Sequence, residues 1–165
     1  MSRSGYTDDC DNNWNLIRWR GAVASAIRGR RGQAFLREML AALDALPEKR
    51  LIAGDLVFDG QGDWWEGQVI VGGDQLVTDR GEIVIIGEVC AMGAVGRARQ
   101  LVMSEVDPHD AESVADFFGI SGALAKEIAW VNDDDYAYCE PNTPEARFRR
   151  VRAWVVKHLI VEAER

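Results

Sequence analysis

Apolar residues recur at helical spacing through the first third of the chain. One stripe between residues 14 and 28 has intervals of three and four residues, which is the pattern of a helix with one buried face. A similar pattern follows the break at 29–32 and ends at Pro47, because proline disfavours helical geometry in the residue before it. We predict a helical hairpin over residues 14–46, preceded by a loose acidic arm over 1–13. The first stripe consists of Leu16, Trp19, Val23 and Ile27.

Residues 51–88 have a different character, with frequent glycines and short β-branched runs. Runs of this length separated by turn residues are typical of short strands. Gly72 and Gly73, and the segment 79–81, have the composition of tight turns. We therefore predict a small antiparallel β-sheet in the middle of the chain. The predicted strands are 56–58, 68–71, 75–78 and 83–86.

Helical patterns resume over residues 89–163. Asp110 and Ser121 are placed to cap helices, and Thr143 before Pro144 is a strong helix start. The expected architecture is a single α+β domain, helix-rich, with an N-terminal helical hairpin, the small sheet and C-terminal helices. The predicted C-terminal helices are 89–99, 111–118, 122–130 and about 143–163.

Charge is distributed unevenly along the chain. The net charge of −8 divides into +3 over residues 1–50 and −11 over residues 51–165. The segment 105–140 has ten carboxylates and Lys126 as its one lysine or arginine. Such fields steer charged partners and keep proteins soluble. The favoured interpretation is that hairpin arginines form salt bridges with the acidic remainder, and the alternative is that either surface contacts a partner.

Nothing in the chain resembles a membrane or export signal. No apolar run approaches the roughly 20 residues of a membrane span. The first residues lack the apolar segment of a signal peptide. Three widely spaced cysteines fit a reducing compartment better than a disulfide framework. We expect a cytoplasmic protein.

The arginines of the predicted hairpin are the first candidate binding set. Trp14 and Trp19 are interleaved with them, and guanidinium groups beside aromatic rings can contact phosphates and bases. A sequence pI of about 4.8 argues against a dedicated nucleic-acid binder. The candidate residues are Arg18, Arg20, Arg28, Arg30 and Arg31.

The acidic segment supplies a second candidate binding set. A dense row of carboxylates can resemble the phosphate array of a nucleic acid and occupy a basic channel on another protein. Asp133 and Asp135 are also weak candidates for a Mg²⁺ or Ca²⁺ site, although the spacing does not match a calcium-binding loop. The alternative is a solvated loop after a helix. The candidate binding residues are Asp110, Glu112, Asp116, Asp133, Asp134 and Asp135.

Cys90 is a weak candidate nucleophile. It follows a predicted strand at the start of a predicted helix, where the helix N-terminus stabilises a thiolate. A cysteine nucleophile needs a base, and neither His109 nor His158 has a supporting sequence context. The alternative is that Cys90 is a small buried apolar residue. No motif for a cofactor is present, and we expect none.

Several blocks together resemble an uncharacterised family of small phage and prophage proteins. The resemblance covers most of the chain, although residues 53–86 are longer than expected for that family. It implies a phage-encoded protein expressed inside a bacterium and implies no activity. The blocks are 18–35 (RWRGAVASAIRGRRGQAF), 42–49 (ALDALPEK), 87–96 (GEVCAMGAVG), 130–133 (WVND) and 143–155 (TPEARFRRVRAWV).

The leading functional expectation is a non-enzymatic binding protein that acts on a host macromolecule. The expected partner is a host protein or ribonucleoprotein complex, and the specific form considered is an inhibitor of a bacterial defence nuclease complex. One alternative is a small enzyme that uses Cys90 or the acidic loop 132–135. The other is direct nucleic-acid binding through the arginine-rich hairpin.

Overall fold

The computed structural model describes residues 13–58, 69–70, 75–77, 81–133 and 142–160. Six α-helices and a short 3-10 helix, Met103–Glu105, make up most of this part of the chain. The helices are α1 Asn13–Arg28, α2 Arg30–Ala45, α3 Ala91–Ala98, α4 Ala111–Phe118, α5 Gly122–Asp133 and α6 Pro144–His158. The strands are β1 Val69–Ile70, β2 Gln75–Val77 and β3 Ile83–Ile85.

The α+β classification is wrong, because the fold is helical. The described strands are at most three residues long and pair antiparallel in the order β1-β2-β3, which is too small to form a layer of the domain. The predicted first strand, 56–58, forms only an isolated bridge from Val57 to Val89. The predicted turns at 72–73 and 79–80 lie outside the described residues.

The apolar residues of segment 51–58 explain this error. They are buried in the same core as the helices, and the backbone hydrogen bonds that join residues 52–58 to residues 87–90 lie outside the three-stranded sheet. An apolar run of this length cannot be assigned to a strand from sequence pattern alone. The buried residues of this segment are Leu51, Ile52, Leu56 and Phe58.

Two helices, α1 and α2, occupy the segment predicted as a helical hairpin. Only Gly29 separates α1 from α2. A Cβ atom on Gly32 would overlap the backbone oxygen of Ala26, so the two helices meet closely only because residue 32 has no side chain. The predicted arm over 1–13 lies outside the described residues except for Asn13, which begins α1.

Helix α2 lies at the centre of the core. It packs against α1, α3 and α6, while α5 packs against α1, α3, α4 and α6. Leu36, Met39 and Leu43 of α2 are completely enclosed. Burial of each such side chain contributes roughly 1.5–3 kcal/mol to the free energy of unfolding. The two helices thus hold all of the others in place.

The predicted helix starts in the C-terminal half are confirmed. The Asp110 carboxylate accepts hydrogen bonds from the backbone N–H groups of Glu112 and Ser113 at the start of α4. The Ser121 hydroxyl accepts from Leu124 N at 3.3 Å. The Thr143 hydroxyl accepts from Ala146 N, with Pro144 in the first turn of α6.

A buried arginine joins α6 to the extended segment that follows the hairpin. The Arg147 side chain is 0% exposed. Its Nη1 donates to the carbonyl oxygen of Leu51 at 2.7 Å, and its Nη2 donates to Glu82 Oε1 at 3.3 Å and to the Asn142 carbonyl oxygen at 3.1 Å. A buried guanidinium is tolerable only when it is paired and hydrogen-bonded in this way.

In the described ranges, none of the helices has both the length and the apolar character needed to cross a membrane.

Candidate functional site

The outward side of α1 carries aromatic and basic residues on one arc. At 100° per residue, positions 14, 18, 21, 25 and 28 fall on the same side of a helix. Trp14 is 71% exposed, and no heavy atom lies within 4 Å of where a Cβ atom on Gly21 would be. Arg30 and Arg31 follow this arc in the chain, at the start of α2, and both are exposed. We call the whole surface the arginine face: Trp14, Arg18, Gly21, Ser25, Arg28, Arg30 and Arg31.

Four arginines of this face have no carboxylate partner within the described part of the chain. Arg28 Nε donates to the carbonyl oxygen of its own helix at Ala24. Arg20, a fifth predicted binding residue, is also exposed but lies about 80° outside the arc at 100° per residue. The favoured sequence interpretation, salt bridges from the arginines of residues 1–50 to the acidic remainder, is therefore not confirmed for these four, whereas Arg50 does pair with Glu88 and Glu145. The four unpaired residues are Arg18, Arg28, Arg30 and Arg31.

The carboxylates of the hairpin are paired with arginines from elsewhere. Residues 14–46 contain only Glu38 and Asp44 as acidic residues. Glu38 pairs with Arg99 at 2.7 Å, and Asp44 pairs with Arg152 at 2.6 Å. The hydrogen bond from each arginine is the main reason that the pKa of each carboxyl group lies below its ordinary value. No hairpin carboxylate remains to neutralise the arginine face.

The start of α2 carries two arginines and lies next to the C-terminal end of α1. Arg30 and Arg31 occupy its first turn, which contains no acidic residue, and Gly29 offers no side chain to cap it. Helix N-termini carry partial positive charge, so two arginines there add to an existing positive potential. Such an end favours an anionic ligand.

The bend below these arginines is fixed by a buried glutamine. Gln33 Nε2 donates to the carbonyl oxygens of Ile27 at 2.8 Å and His158 at 2.9 Å. Its Oε1 accepts from Ile160 N at 2.8 Å. One side chain therefore ties the ends of α1 and α6 to the start of α2, so the backbone that carries Arg28, Arg30 and Arg31 is held in place.

The acidic candidates do not form one surface. Asp110, Glu112 and Asp116 are exposed on or beside α4. Asp133, in contrast, is buried at the end of α5, where its Oδ1 accepts from Gly54 N and from Asn132 Nδ2. Asp134 and Asp135 lie outside the described residues. Two of the placed carboxylates make structural hydrogen bonds: Asp110 caps α4, and Asp133 joins the end of α5 to Gly54.

The structure does not support the candidate metal site in the described ranges. These ranges hold no group of three or more histidine, cysteine or acidic side chains placed to share a metal ion. Asp133 is engaged as above, and its proposed companion Asp135 lies outside the described residues. The neighbouring Asn132 fastens α5 to the start of α3, since its Oδ1 accepts from Ala91 N at 3.1 Å.

Cys90 lies on the wall of a pocket of about 340 Å³. The thiol is at the N-cap of α3, where its Sγ accepts a hydrogen bond from Gly93 N at 3.4 Å. The residue is only 8% exposed and also belongs to the hydrophobic core. We call this cavity the Cys90 pocket. Its wall is formed by 54–56, 90–92, 108–112 and 114, and by 125–126, 128–129 and 132–133 of α5.

The same pocket contains His109, which the sequence interpretation set aside. His109 is exposed on the turn before α4, where its backbone N–H donates to Asp107 Oδ1 at 2.9 Å. Cys90 and His109 are nineteen residues apart, on different elements, and no spacing rule connects them. His158, the other histidine, lies at the end of α6 against Trp154. It is not one of the residues that line the Cys90 pocket.

Comparison of the chain with protein-family models, with curated proteins and with solved structures gives no match.

Proposed function

We propose that this chain is a non-enzymatic binding protein that holds a single-stranded nucleic acid on the arginine face. The observation that carries the proposal is the set of four exposed arginines without a carboxylate partner in the described ranges, along α1 and the first turn of α2, together with an exposed tryptophan on α1. Arginine is suited to this role because its planar guanidinium can contact phosphate with two hydrogen bonds.

The arrangement of the face favours a single strand. Trp14 offers an open ring on which a base can stack, and stacking contributes about 1–3 kcal/mol per base. Arg18 lies one turn from Trp14, and Arg28 lies about 15 Å farther along α1 at 1.5 Å per residue. The small residues Gly21 and Ser25 between them leave room for a strand to approach the helix.

The negative net charge of the chain weakens this binding but does not exclude it. At 0.1 M salt the Debye length is about 10 Å, so exposed carboxylates beyond that distance are largely screened. A strand bound on the arginine face therefore interacts mainly with the charged groups of the hairpin itself. The two carboxylates of the hairpin are already paired with Arg99 and Arg152.

The direct test is fluorescence anisotropy with a labelled single-stranded 20-mer of mixed sequence. We expect dissociation constants in the range of about 10⁻⁴–10⁻⁶ M that is typical of sequence-independent binding. With four phosphate contacts, affinity should fall roughly 50-fold between 50 and 200 mM salt, from a slope near −0.7 per contact. No anisotropy change at low salt would overturn the proposal.

A matched pair of charge reversals separates the arginine face from a general charge effect. Arg28→Glu should lower affinity by about tenfold. Arg149→Glu, on the exposed side of α6, changes the net charge equally and should have a much smaller effect. Equal losses in both variants would contradict a site on α1.

The setting implied by the family resemblance is part of this proposal. We propose that the protein is a phage product that acts in the cytoplasm of a bacterial host. The nucleic acid that it binds would then be exposed RNA of a ribonucleoprotein defence complex. The test is phage plaque formation on hosts with and without such a complex. An advantage conferred by the wild-type protein and lost in Arg28→Glu supports the setting, and no advantage in either host contradicts it.

A second candidate function is a thiol enzyme, favoured by the placement of Cys90 and His109 on one pocket wall. The test is alkylation by iodoacetamide in a Cys10→Ser/Cys139→Ser background, where the Cys90 thiolate attacks the methylene carbon and iodide leaves. If the histidine activates the thiol, His109→Ala should slow alkylation by about tenfold or more. Equal rates would exclude this pairing.

A further inference from the structure

The Cys90 pocket has the properties of a small-molecule site that is separate from the arginine face. Its volume of about 340 Å³ falls within the usual range of ligand pockets, roughly 300–1,000 Å³. Most of its wall is apolar, and the pocket shares no residue with the arginine face. The apolar wall includes Leu56, Met92, Val114, Ala125, Ile128 and Ala129.

The charges around this cavity are mainly negative. Asp55, Asp110, Glu112 and Asp133 all contribute to its wall. Lys126 also contributes to the wall, but its ammonium group lies 5.7 Å from the centroid of the Trp19 ring, so its charge is drawn towards α1. The cavity thus combines apolar walls with carboxylates.

Asp110 keeps its charge at neutral pH and a fixed orientation. Its Oδ2 accepts from the Ser113 hydroxyl at 2.6 Å, and its Oδ1 accepts from the N–H groups of Glu112 and Ser113. The bond from the Ser113 side chain is the largest cause of a pKa below the ordinary value for this carboxyl group. These three bonds hold the carboxylate in one orientation at the start of α4, where Asp110 contributes to the wall of the pocket.

We propose that the Cys90 pocket binds a small organic cation, namely a primary ammonium group on a compact hydrocarbon body. The hydrocarbon part would be removed from water by the apolar wall. The ammonium group would donate charge-assisted hydrogen bonds to the carboxylates, with Asp110 as the main acceptor. A neutral or anionic molecule of the same shape lacks this second contribution.

Three probes of the same shape test this directly: benzylamine, benzyl alcohol and benzoate. Binding is followed by the amide chemical shifts of Cys90, Ala125 and Ala129 in the full-length protein at pH 7. We expect benzylamine to bind at least about tenfold more tightly than benzyl alcohol, a difference of roughly 1.4 kcal/mol. Benzoate should be the weakest of the three.

Two variants test the location and the charge preference separately. Ala129→Phe should fill the cavity and abolish the shifts, while Ala41→Phe, at an exposed position on α2, should leave them unchanged. Asp110→Asn keeps a good N-cap for α4 but removes the charge. It should weaken benzylamine by several-fold and leave benzyl alcohol unaffected.

Failure of this inference is distinguishable from failure of the proposed function. Equal binding of benzylamine and benzoate, unchanged shifts in Ala129→Phe, or no binding of any probe would each overturn the cation site. None of these results bears on oligonucleotide binding, which is measured separately and which Ala129→Phe should leave intact.

Discussion

Asp44 Oδ1 on α2 lies 2.6 Å from Arg152 Nε on α6, and Asp44 Oδ2 accepts from Arg152 Nη2 at 3.1 Å. This two-point pair brings a cation from the C-terminal helix to one of the two carboxylates of a basic hairpin. Glu38 is satisfied in the same way by Arg99. Because outside arginines occupy both hairpin carboxylates, the hairpin's own arginines on the arginine face stay unpaired in the described structure.

The first prediction concerns Arg31→Glu, which should weaken oligonucleotide binding while stabilising the fold. A carboxylate in the first turn of α2 interacts favourably with the helix dipole, by about 0.3–1 kcal/mol, where arginine interacts unfavourably. Thermal unfolding and anisotropy on the same sample measure both effects. Unchanged binding in a variant whose Tm is equal to or higher than that of wild type would contradict a role for Arg31 in the arginine face.

The second prediction concerns the bend of the hairpin. Gly32→Ala should lower the free energy of unfolding by about 1–3 kcal/mol, because the added methyl group meets the Ala26 backbone oxygen. Gly29→Ala is the matched control. Its Cβ atom would lie 3.4 Å from the nearest atom, Ser25 O, and φ at Gly29 is −65°. Urea denaturation of both variants checks this, and equal stability of the two would contradict the close helix contact.

The third prediction concerns the buried guanidinium of α6. Arg147→Met should lower the free energy of unfolding by about 3–5 kcal/mol, since Glu82 and the Leu51 and Asn142 carbonyls lose their donor. Arg149→Met, two residues away and exposed, should change it by less than about 0.5 kcal/mol. Similar midpoints in urea for the two variants would show that the Arg147 network is not needed for stability.

The fourth prediction concerns pH. The folded-state pKa of Glu38 lies below the ordinary value, mainly through its hydrogen bond from Arg99. The contribution of this pair is therefore present above the unfolded-state pKa and is lost as the pH falls through the folded-state pKa. Both side chains are about one-third exposed, so the contribution is only about 0.2–1 kcal/mol.

The variant Glu38→Gln isolates the contribution of the Glu38–Arg99 pair to stability. Glu38→Gln should be less stable than wild type at pH 7, and the difference should shrink as the pH falls through the folded-state pKa of Glu38, which lies below the ordinary value. Chemical denaturation at several pH values measures the difference. A gap that stays constant or widens in acid would contradict the assigned pair.

Local features of the helices could be predicted from sequence, because they depend on neighbouring residues. The caps at Asp110 and Thr143, and the hairpin stripe, involve contacts within a few positions. The role of Gln33 could not be predicted, because its partners include His158, 125 residues away. A polar residue within an apolar helix face gives no sign of what it will contact.

The two candidate sites also differ in how far they could be predicted from the sequence. The arginines of α1 and α2 are identifiable from sequence because one hairpin carries them, but their freedom from carboxylate partners depends on where Arg99 and Arg152 lie in the fold. The Cys90 pocket combines segments separated by many residues, so Cys90 and His109 could not be placed together. The net charges of the segments did not predict which arginines form salt bridges or which charged side chains are exposed.

The arginine face is tested most directly by amide chemical-shift mapping with the single-stranded 20-mer. Shifts should concentrate at Gly21, Ser25, Arg28 and Arg31, should saturate with added oligonucleotide and should disappear in the Arg28→Glu variant. Shifts centred on Glu112 and Asp116 of α4, or no saturable shifts at 50 mM salt, a condition that favours phosphate contacts, would contradict binding on the arginine face.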